Sequence, residues 1–171
     1  MNGNHFLIKN LTAILVFTGT IFLSDVPRAA DEPLTSGAKM TSALAPVYEP
    51  LARHLVDRYD LTNKEGVGID IGGGSGDLVI ALAGLTGRMY WINTDIDRNV
   101  LPQAQTRARD KGLDARIGSM YADVHSLPFQ SDYADFIVSR GSLQFWKDWN
   151  RAFSEIYRVL KPGGVAYIGR G

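Results

Sequence analysis

The sequence predicts an α/β domain with a doubly wound, mostly parallel sheet. Two observations carry that expectation. Short apolar runs alternate with stretches of helical periodicity from residue 40 onward, and the first apolar run feeds a glycine-rich turn that opens directly into a helix. The 171 residues suit one domain with a single core, and 45% apolar with 21% charged residues is an ordinary globular composition.

The first predicted element is a helix over 40–59, because Leu44, Val47, Tyr48, Leu51, Leu55 and Val56 recur at spacings of three and four. Pro46 and Pro50 are expected near its start or at a kink. Val67–Ile71 reads as a buried strand, 77–85 as a helix packed tightly on a sheet, and Met89–Asn93 as a second strand. A helix over 97–111 turns Val100, Leu101, Ala104 and Ala108 inward. Strands follow at Ala115–Tyr121 and Asp135–Ser139. The last helix, 148–160, carries Phe153, Ile156, Tyr157 and Leu160 on one face. Lys161-Pro162-Gly163-Gly164 stops it before a fifth strand, Val165–Ile168.

The N-terminal part reads differently. Residues 11–23 form an uncharged apolar run of thirteen residues, preceded by Lys9 and followed by Asp25, Pro27, Ala29 and Ala30. As a helix the run spans roughly 20 Å, short of a hydrocarbon core of roughly 30 Å. The order of basic flank, apolar core and small-residue exit points to a signal peptide or membrane anchor over 1–30, although Arg28 disturbs the cleavage site. A start at Met40 is the plainer alternative. Residues 31–38 read as a linker, and the domain is expected over 39–171.

Charge excludes some classes. Eighteen basic residues balance eighteen acidic ones, so no basic surplus argues for a nucleic-acid partner. There are no cysteines, which removes thiolate chemistry and disulfides. His5, His54 and His125 lack metal-ligand spacing, and no metal site is expected.

The chemistry is concentrated in the run Asp70, Ile71, Gly72, Gly73, Gly74, Ser75, Gly76. Glycines at 72, 74 and 76 permit a sharp turn and close approach to a ligand, and the following helix offers backbone N–H groups at its positive end. A nicotinamide-dependent oxidoreductase is disfavoured, because Asp77 stands where the dinucleotide fingerprint needs its third glycine. A carboxylate at Asp70 would also repel a pyrophosphate, whereas it would attract an ammonium group.

This acid-x-Gly-x-Gly-x-Gly run resembles motif I of class I S-adenosylmethionine-dependent methyltransferases. Three further segments match in order. Thr94-Asp95-Ile96-Asp97 ends the second strand, Asp123-Val124-His125-Ser126-Leu127-Pro128-Phe129 resembles the family's Asp-x-x-x-Leu-Pro-Phe, and Arg158-Val-Leu-Lys-Pro-Gly-Gly164 is similar to a signature of the methyltransferase type 11 group. The resemblance covers residues 44–169 and implies a Rossmann-like methyltransferase fold with S-adenosylmethionine as cofactor.

The same resemblance implies the site. Asp70, Gly72, Gly73, Gly74 and Gly76 would hold the methionine part, and Asp95 the ribose hydroxyls. Ile96 and Val124 would flank the adenine, and Asp123 would contact its amino group. Ala122 replaces the usual glycine before that acid. Asp97 is expected to cap the next helix. His125 either points into the pocket or is a solvated loop histidine. Ser139 at the end of the fourth strand joins the cofactor set, and Arg140 with Tyr48 is assigned to the acceptor side. Arg140 either orients a carboxylate or phosphate or lies over the sheet edge. Leu143, Phe145, Trp146 and Trp149 form either a pocket wall or the packing of the last helix.

The implied reaction is in-line methyl transfer to a small-molecule acceptor, with no catalytic base assigned. The family fold continues beyond strand five, so the chain reads as C-terminally truncated. That leaves an open sheet edge suited to pairing with another chain, and leaves a non-enzymatic cofactor-binding module of the same fold as the alternative function. The absence of an Asn-Pro-Pro-Tyr segment after the fourth strand places a nucleic-acid methyltransferase last. Cofactor supply favours the cytoplasm, or a membrane anchor facing it, over export.

Overall fold

A computed structural model describes residues 8–9, 12–17 and 37–169, with side chains from Val47 onward. Its elements are β1 (Ile8–Lys9), β2 (Thr12–Phe17), α1 (Gly37–Arg58), β3 (Gly66–Ile71), α2 (Asp77–Leu85), β4 (Met89–Asp95), α3 (Leu101–Asp110), β5 (Ile117–Tyr121), β6 (Ala134–Arg140), α4 (Trp149–Val159) and β7 (Leu160–Gly169), with a 3-10 turn at Leu143–Phe145. The sheet runs β1-β2-β7-β6-β3-β4-β5, and every pair is parallel except β1 with β2. The doubly wound α/β expectation therefore holds.

The chain moves outward from β3 to β4 and β5, then returns to the other side of β3 with β6. Strand order reverses between β3 and β6, and a crevice opens beyond their C-terminal ends, where open α/β sheets bind ligands. Helices cover both faces, so the central strands β3, β4 and β6 are mostly buried rather than alternating buried with exposed. On one face Ile69, Ile71, Ile137 and Ile168 pack with Ala152, Ile156 and Val159 of α4. On the other, Trp91 and Phe136 pack with Leu55 of α1 and Leu82 of α2. Each fully buried side chain of this size contributes about 1.5–3 kcal/mol of transfer free energy.

Four local expectations need correcting. Helix α1 starts at Gly37, three residues before the expected start, so Pro46 and Pro50 lie well inside it rather than near its start. Pro50 is exposed, so the carbonyl left by its missing N–H can turn to water. The side chains before Val47, that of Leu44 among them, are outside what is described.

Helix α3 begins at Leu101, four residues later than expected. Asp97 caps a turn before it: its Oδ1 accepts from the backbone N–H of Asn99 (2.9 Å) and from Nδ2 of Asn99 (2.8 Å). The helix buries Ala104 and Ala108, while Val100 and Leu101 are half-buried.

Lys161–Gly164 lies inside β7 as a bulge. Ala134 pairs with Leu160 and Phe136 with Val165, so the four residues loop out between adjacent rungs. Gly163 takes the left-handed backbone (φ 79°) that the bulge needs.

The edge beyond β7 is not open. Ile14–Phe17 of β2 pair in parallel with Ala166–Gly169. The signal or anchor expected over 1–30 falls largely outside the described residues, as does most of the 31–38 linker. Among the described residues no helix is long and apolar enough to cross a membrane.

Candidate functional site

The crevice at the β3/β6 switch is a cavity of about 510 Å³, within the range that holds a small molecule. Its floor is the turn after β3. The N–H groups of Gly72 and Gly73 both donate to the Thr94 carbonyl (2.8 and 3.0 Å), and that of Gly74 donates to Oδ2 of Asp95 (2.9 Å). Asn93 Nδ2 donates to the Gly74 carbonyl (3.0 Å). The turn is thus tied to the end of β4 at four points.

At two positions of the turn a Cβ would collide outright. A Cβ on Gly72, whose φ is 68°, would stand 2.4 Å from Cβ of Ser142. A Cβ on Gly73 would stand 2.1 Å from Oδ1 of Asn93 and 2.6 Å from Oδ2 of Asp70. Gly76 lies away from the cavity, against Ala104 of α3.

The N–H groups expected to serve a ligand are therefore partly spent within the fold. The positive end of α2 is likewise met by the chain's own Asp77, whose carboxylate binds Arg107 and accepts from Ser75 Oγ. What the turn presents instead is Asp70. This carboxyl is 1% exposed, and its Oδ2 has no hydrogen-bond partner among the described residues. Burial, reinforced by the Asp95 and Asp77 carboxylates, pushes it up to about 8. It borders a small recess with Gly72, Gly73, Gly74, Leu78, Tyr48 and Arg140. An orphaned buried oxygen at the base of a recess fits a cationic group, and the α-ammonium of S-adenosylmethionine is one.

Asp95 stands at the mouth of β4 and lines the cavity. Its Oδ1 accepts from the Asp97 N–H (2.8 Å), so the carboxylate is aimed before any ligand arrives. Ile96, 62% exposed, stands beside it on the cavity wall. Opposite lie Ala122, Asp123, Val124 and His125.

That segment is held by the other matched motif. Glu155 accepts from the Leu127 N–H (2.8 Å), and Arg158 donates to the carbonyls of Phe129 (2.7 Å) and Leu127 (3.0 Å) while pairing with Glu155 (2.7 Å). The Leu-Pro-Phe run and the Arg158 run are one hydrogen-bonded unit. The Arg158 pairing holds Glu155 below the usual carboxylate range.

The third wall comes from the exit of β6, with Arg140, Gly141, Ser142, Gln144, Phe145 and Trp146. Ser139, expected among the cofactor residues, is fully buried and does not line the cavity. Alternation along β6 turns it into the core beneath α4, where its Oγ bonds Oγ of Ser142 (2.6 Å). Ser142 is the residue that reaches the cavity. It also donates to the Ile71 carbonyl (3.2 Å) and accepts from Trp146 Nε1 (3.1 Å).

The four apolar residues after β6 divide. Leu143 is core, Trp146 is both core and wall, Phe145 lines the cavity at 70% exposure, and Trp149 lies outside it. Tyr48 of α1 lines both cavity and recess. Burial, with the Asp70 and Asp77 carboxylates, raises its hydroxyl, which stays a donor. Ser142 and Asn93 were not singled out from the sequence. Asn93 carried a signal, being a lone amide within an apolar strand.

Known proteins resemble this chain in sequence and in fold. Residues 69–168 match the family described as the methyltransferase domain. The chloroplastic 2-methyl-6-phytyl-1,4-hydroquinone methyltransferase of Spinacia oleracea is 37% identical over 110 residues, covering 64% of this chain and 30% of that protein. The ubiquinone/menaquinone biosynthesis C-methyltransferase UbiE of Vibrio vulnificus is 34% identical over 97 residues, covering 56% and 37%. The chain thus spans about a third of the length of these curated relatives.

Among solved structures, a candidate S-adenosyl-L-methionine-dependent methyltransferase of Methanococcus maripaludis superposes with TM-score 0.74 at 38% identity, covering 84% of this chain and 68% of that one. Phosphoethanolamine N-methyltransferase 2 of Haemonchus contortus, solved with S-adenosylhomocysteine, superposes with TM-score 0.61 at 31% identity, covering 68% and 27%. With a matching domain over residues 69–168 and a cofactor-sized crevice at the strand-order switch, this chain belongs to the class I S-adenosylmethionine-dependent methyltransferases.

Proposed function

We propose that this chain binds S-adenosylmethionine in the crevice and directs its methyl group to a small-molecule acceptor of hydroquinone type. The observation that carries the reading is the unpartnered, buried Oδ2 of Asp70 in the recess below the glycine turn. In this reading Asp70 receives the α-ammonium and Asp95 the ribose hydroxyls. Ile96 and Val124 flank the adenine, and Asp123 takes its amino group. The cofactor supplies an activated methyl on a sulfonium, so the protein's task is positioning.

The acceptor side is read from Arg140, Tyr48 and Phe145. Arg140 borders the recess and the main cavity alike, which puts it between the cofactor's methionine end and the open wall. A guanidinium there stabilises an ionised phenolic hydroxyl, and an ionised ring is the better carbon nucleophile. Tyr48 donates to the same oxygen, and the exposed Phe145 offers a face for an aromatic ring. The hydroquinone class is supported by the names of the spinach and Vibrio relatives.

The test is methyl incorporation from labelled S-adenosylmethionine by the full chain, offered prenylated 1,4-hydroquinones, simple phenols and phosphoethanolamine. Label on a hydroquinone ring carbon supports the reading. Transfer to phosphoethanolamine alone overturns the acceptor class, and binding of cofactor with no transfer to any acceptor favours a binding module.

A further inference from the structure

His125 lines the cavity, yet its side chain is only 19% exposed, because both of its ring nitrogens are engaged. Nδ1 lies 2.6 Å from Oδ1 of Asp123, and the His125 backbone N–H donates to the same oxygen (2.9 Å). Nε2 accepts from the Asp148 N–H (3.2 Å), which puts the ring proton on Nδ1 and makes that nitrogen the donor to Asp123. The His125 carbonyl accepts from Arg151 Nε (2.7 Å), and Asp148 caps α4 by accepting from the Arg151 N–H (3.0 Å). A solvated loop histidine would make neither of the two ring contacts.

We propose that His125 is a positioning residue for base recognition: it holds Oδ1 of Asp123 and braces the carboxylate against the start of α4, so that Oδ2 is left to accept from the exocyclic amino group of the cofactor's adenine. This rests on the reading of Asp123 as the adenine contact. The carboxylate otherwise has freedom to turn, since Asp123 is 39% exposed. A single oxygen that receives two N–H groups from one residue fixes the plane of the carboxylate. Two further bonds from that residue to α4 fix its own place. The two N–H groups hold Asp123 ionised, below its usual range, as an acceptor of an amino group must be.

The experiment compares two ligands that differ only at the base. S-adenosylhomocysteine carries the amino group, and S-inosylhomocysteine carries a carbonyl oxygen there, which faces the Asp123 carboxylate unfavourably. Wild-type full chain is expected to prefer the adenosyl ligand by about ten- to a hundredfold, the range of one hydrogen bond to a charged group.

Two substitutions separate the roles of the ring nitrogens. His125→Asn keeps a donor near Nδ1 and loses the Asp148 contact; His125→Gln keeps an acceptor near Nε2 and loses the donor to Asp123. The proposal predicts that His125→Asn retains the preference within about threefold. It predicts that His125→Gln loses at least about fivefold of it, as Asp123→Asn also does. Urea midpoints near wild type in both His125 variants would exclude a folding defect.

A wild-type preference that survives in His125→Gln, or falls equally in both variants, overturns the positioning role. A wild type that binds both ligands equally overturns the assignment of Asp123 to the amino group, and the proposal with it. A wild type that binds neither overturns the cofactor reading beneath both.

Discussion

Asp70 and Asn93 stand opposite one another on the parallel strands β3 and β4, and each keeps one buried oxygen without a hydrogen-bond partner among the described residues. The two orphans, Oδ2 of Asp70 and Oδ1 of Asn93, converge on the space that a Cβ of Gly73 would fill. Two acceptors facing one point need a donor between them. Without ligand the donor is a proton on Asp70, whose carboxyl is pushed up to about 8. In the proposed reading the ammonium group of the ligand takes over as the donor to Asp70 from the recess beside it.

Stability should therefore fall as pH rises through the neutral range. The folded state binds the Asp70 proton more tightly than the unfolded chain, whose carboxyl titrates near 3.9. This contribution is complete below about pH 4 and is lost progressively up to about pH 8. Urea midpoints measured across this range should decline in the wild type and decline less in Asp70→Asn.

Ligand binding should release that proton. An ammonium against Asp70 favours the carboxylate, so S-adenosylhomocysteine affinity should increase from about pH 6 to about pH 8. Groups facing Asp70 from the neighbouring elements are Asp95, Asp77, Tyr48 and Arg140. Calorimetry at neutral pH in buffers of unlike ionisation enthalpy should report a net proton released. A binding heat independent of buffer would contradict it.

Gly73→Ala should abolish the site. Its methyl group would collide with Asn93 and Asp70, neither of which can retreat from a packed strand. A cost of about 1–3 kcal/mol in stability and at least about a tenfold loss of S-adenosylhomocysteine affinity are expected. Unchanged affinity would show that the turn does not contact the ligand.

Arg158→Ala should loosen the cavity wall formed by residues 122–125 from a distance. It removes the donors to the Phe129 and Leu127 carbonyls and the partner of Glu155, a loss of about 1–3 kcal/mol. Hydrogen exchange should rise at residues 124–129 more than in β3 or β4.

Arg140→Gln should raise the acceptor KM by at least about tenfold while S-adenosylhomocysteine affinity changes by less than about threefold. Equal losses in both would place Arg140 on the cofactor instead.

What the sequence made legible follows the range of its signals. Helix α2 lies where the periodicity put it, because the glycine turn before it and Thr86 after it are local boundaries. The crevice walls were legible as motifs, since the runs at 70–76, 94–97 and 123–129 lie at or just after the C-terminal ends of β3, β4 and β5. Ser139 and Ser142 could not be told apart in that way. Which of them faces the cavity depends on the alternation of β6 and on the 3-10 turn that brings Ser142 back over Ile71. Lys161–Gly164 carries the proline and glycines that end helices, and α4 does end just before it at Val159, but the strand starts there too. Only the pairing with β6, anchored by Lys161 on Asp135 (2.7 Å), carries the strand through it. The two ring contacts of His125 join residues 23 positions apart on one side and two on the other, and only the nearer has any trace in sequence.

The most direct test of the cofactor site is calorimetric titration of S-adenosylhomocysteine into the full chain, with Asp95→Ala beside it. Asp95 holds Gly74 through Oδ2 and lines the cavity, so its removal opens the turn and deletes the carboxylate proposed to receive the ribose hydroxyls. Micromolar binding by the wild type, weakened at least about a hundredfold in Asp95→Ala, is the expected result. A folded, monodisperse wild type that binds no S-adenosylhomocysteine, or an Asp95→Ala variant that binds it as tightly, would contradict the account.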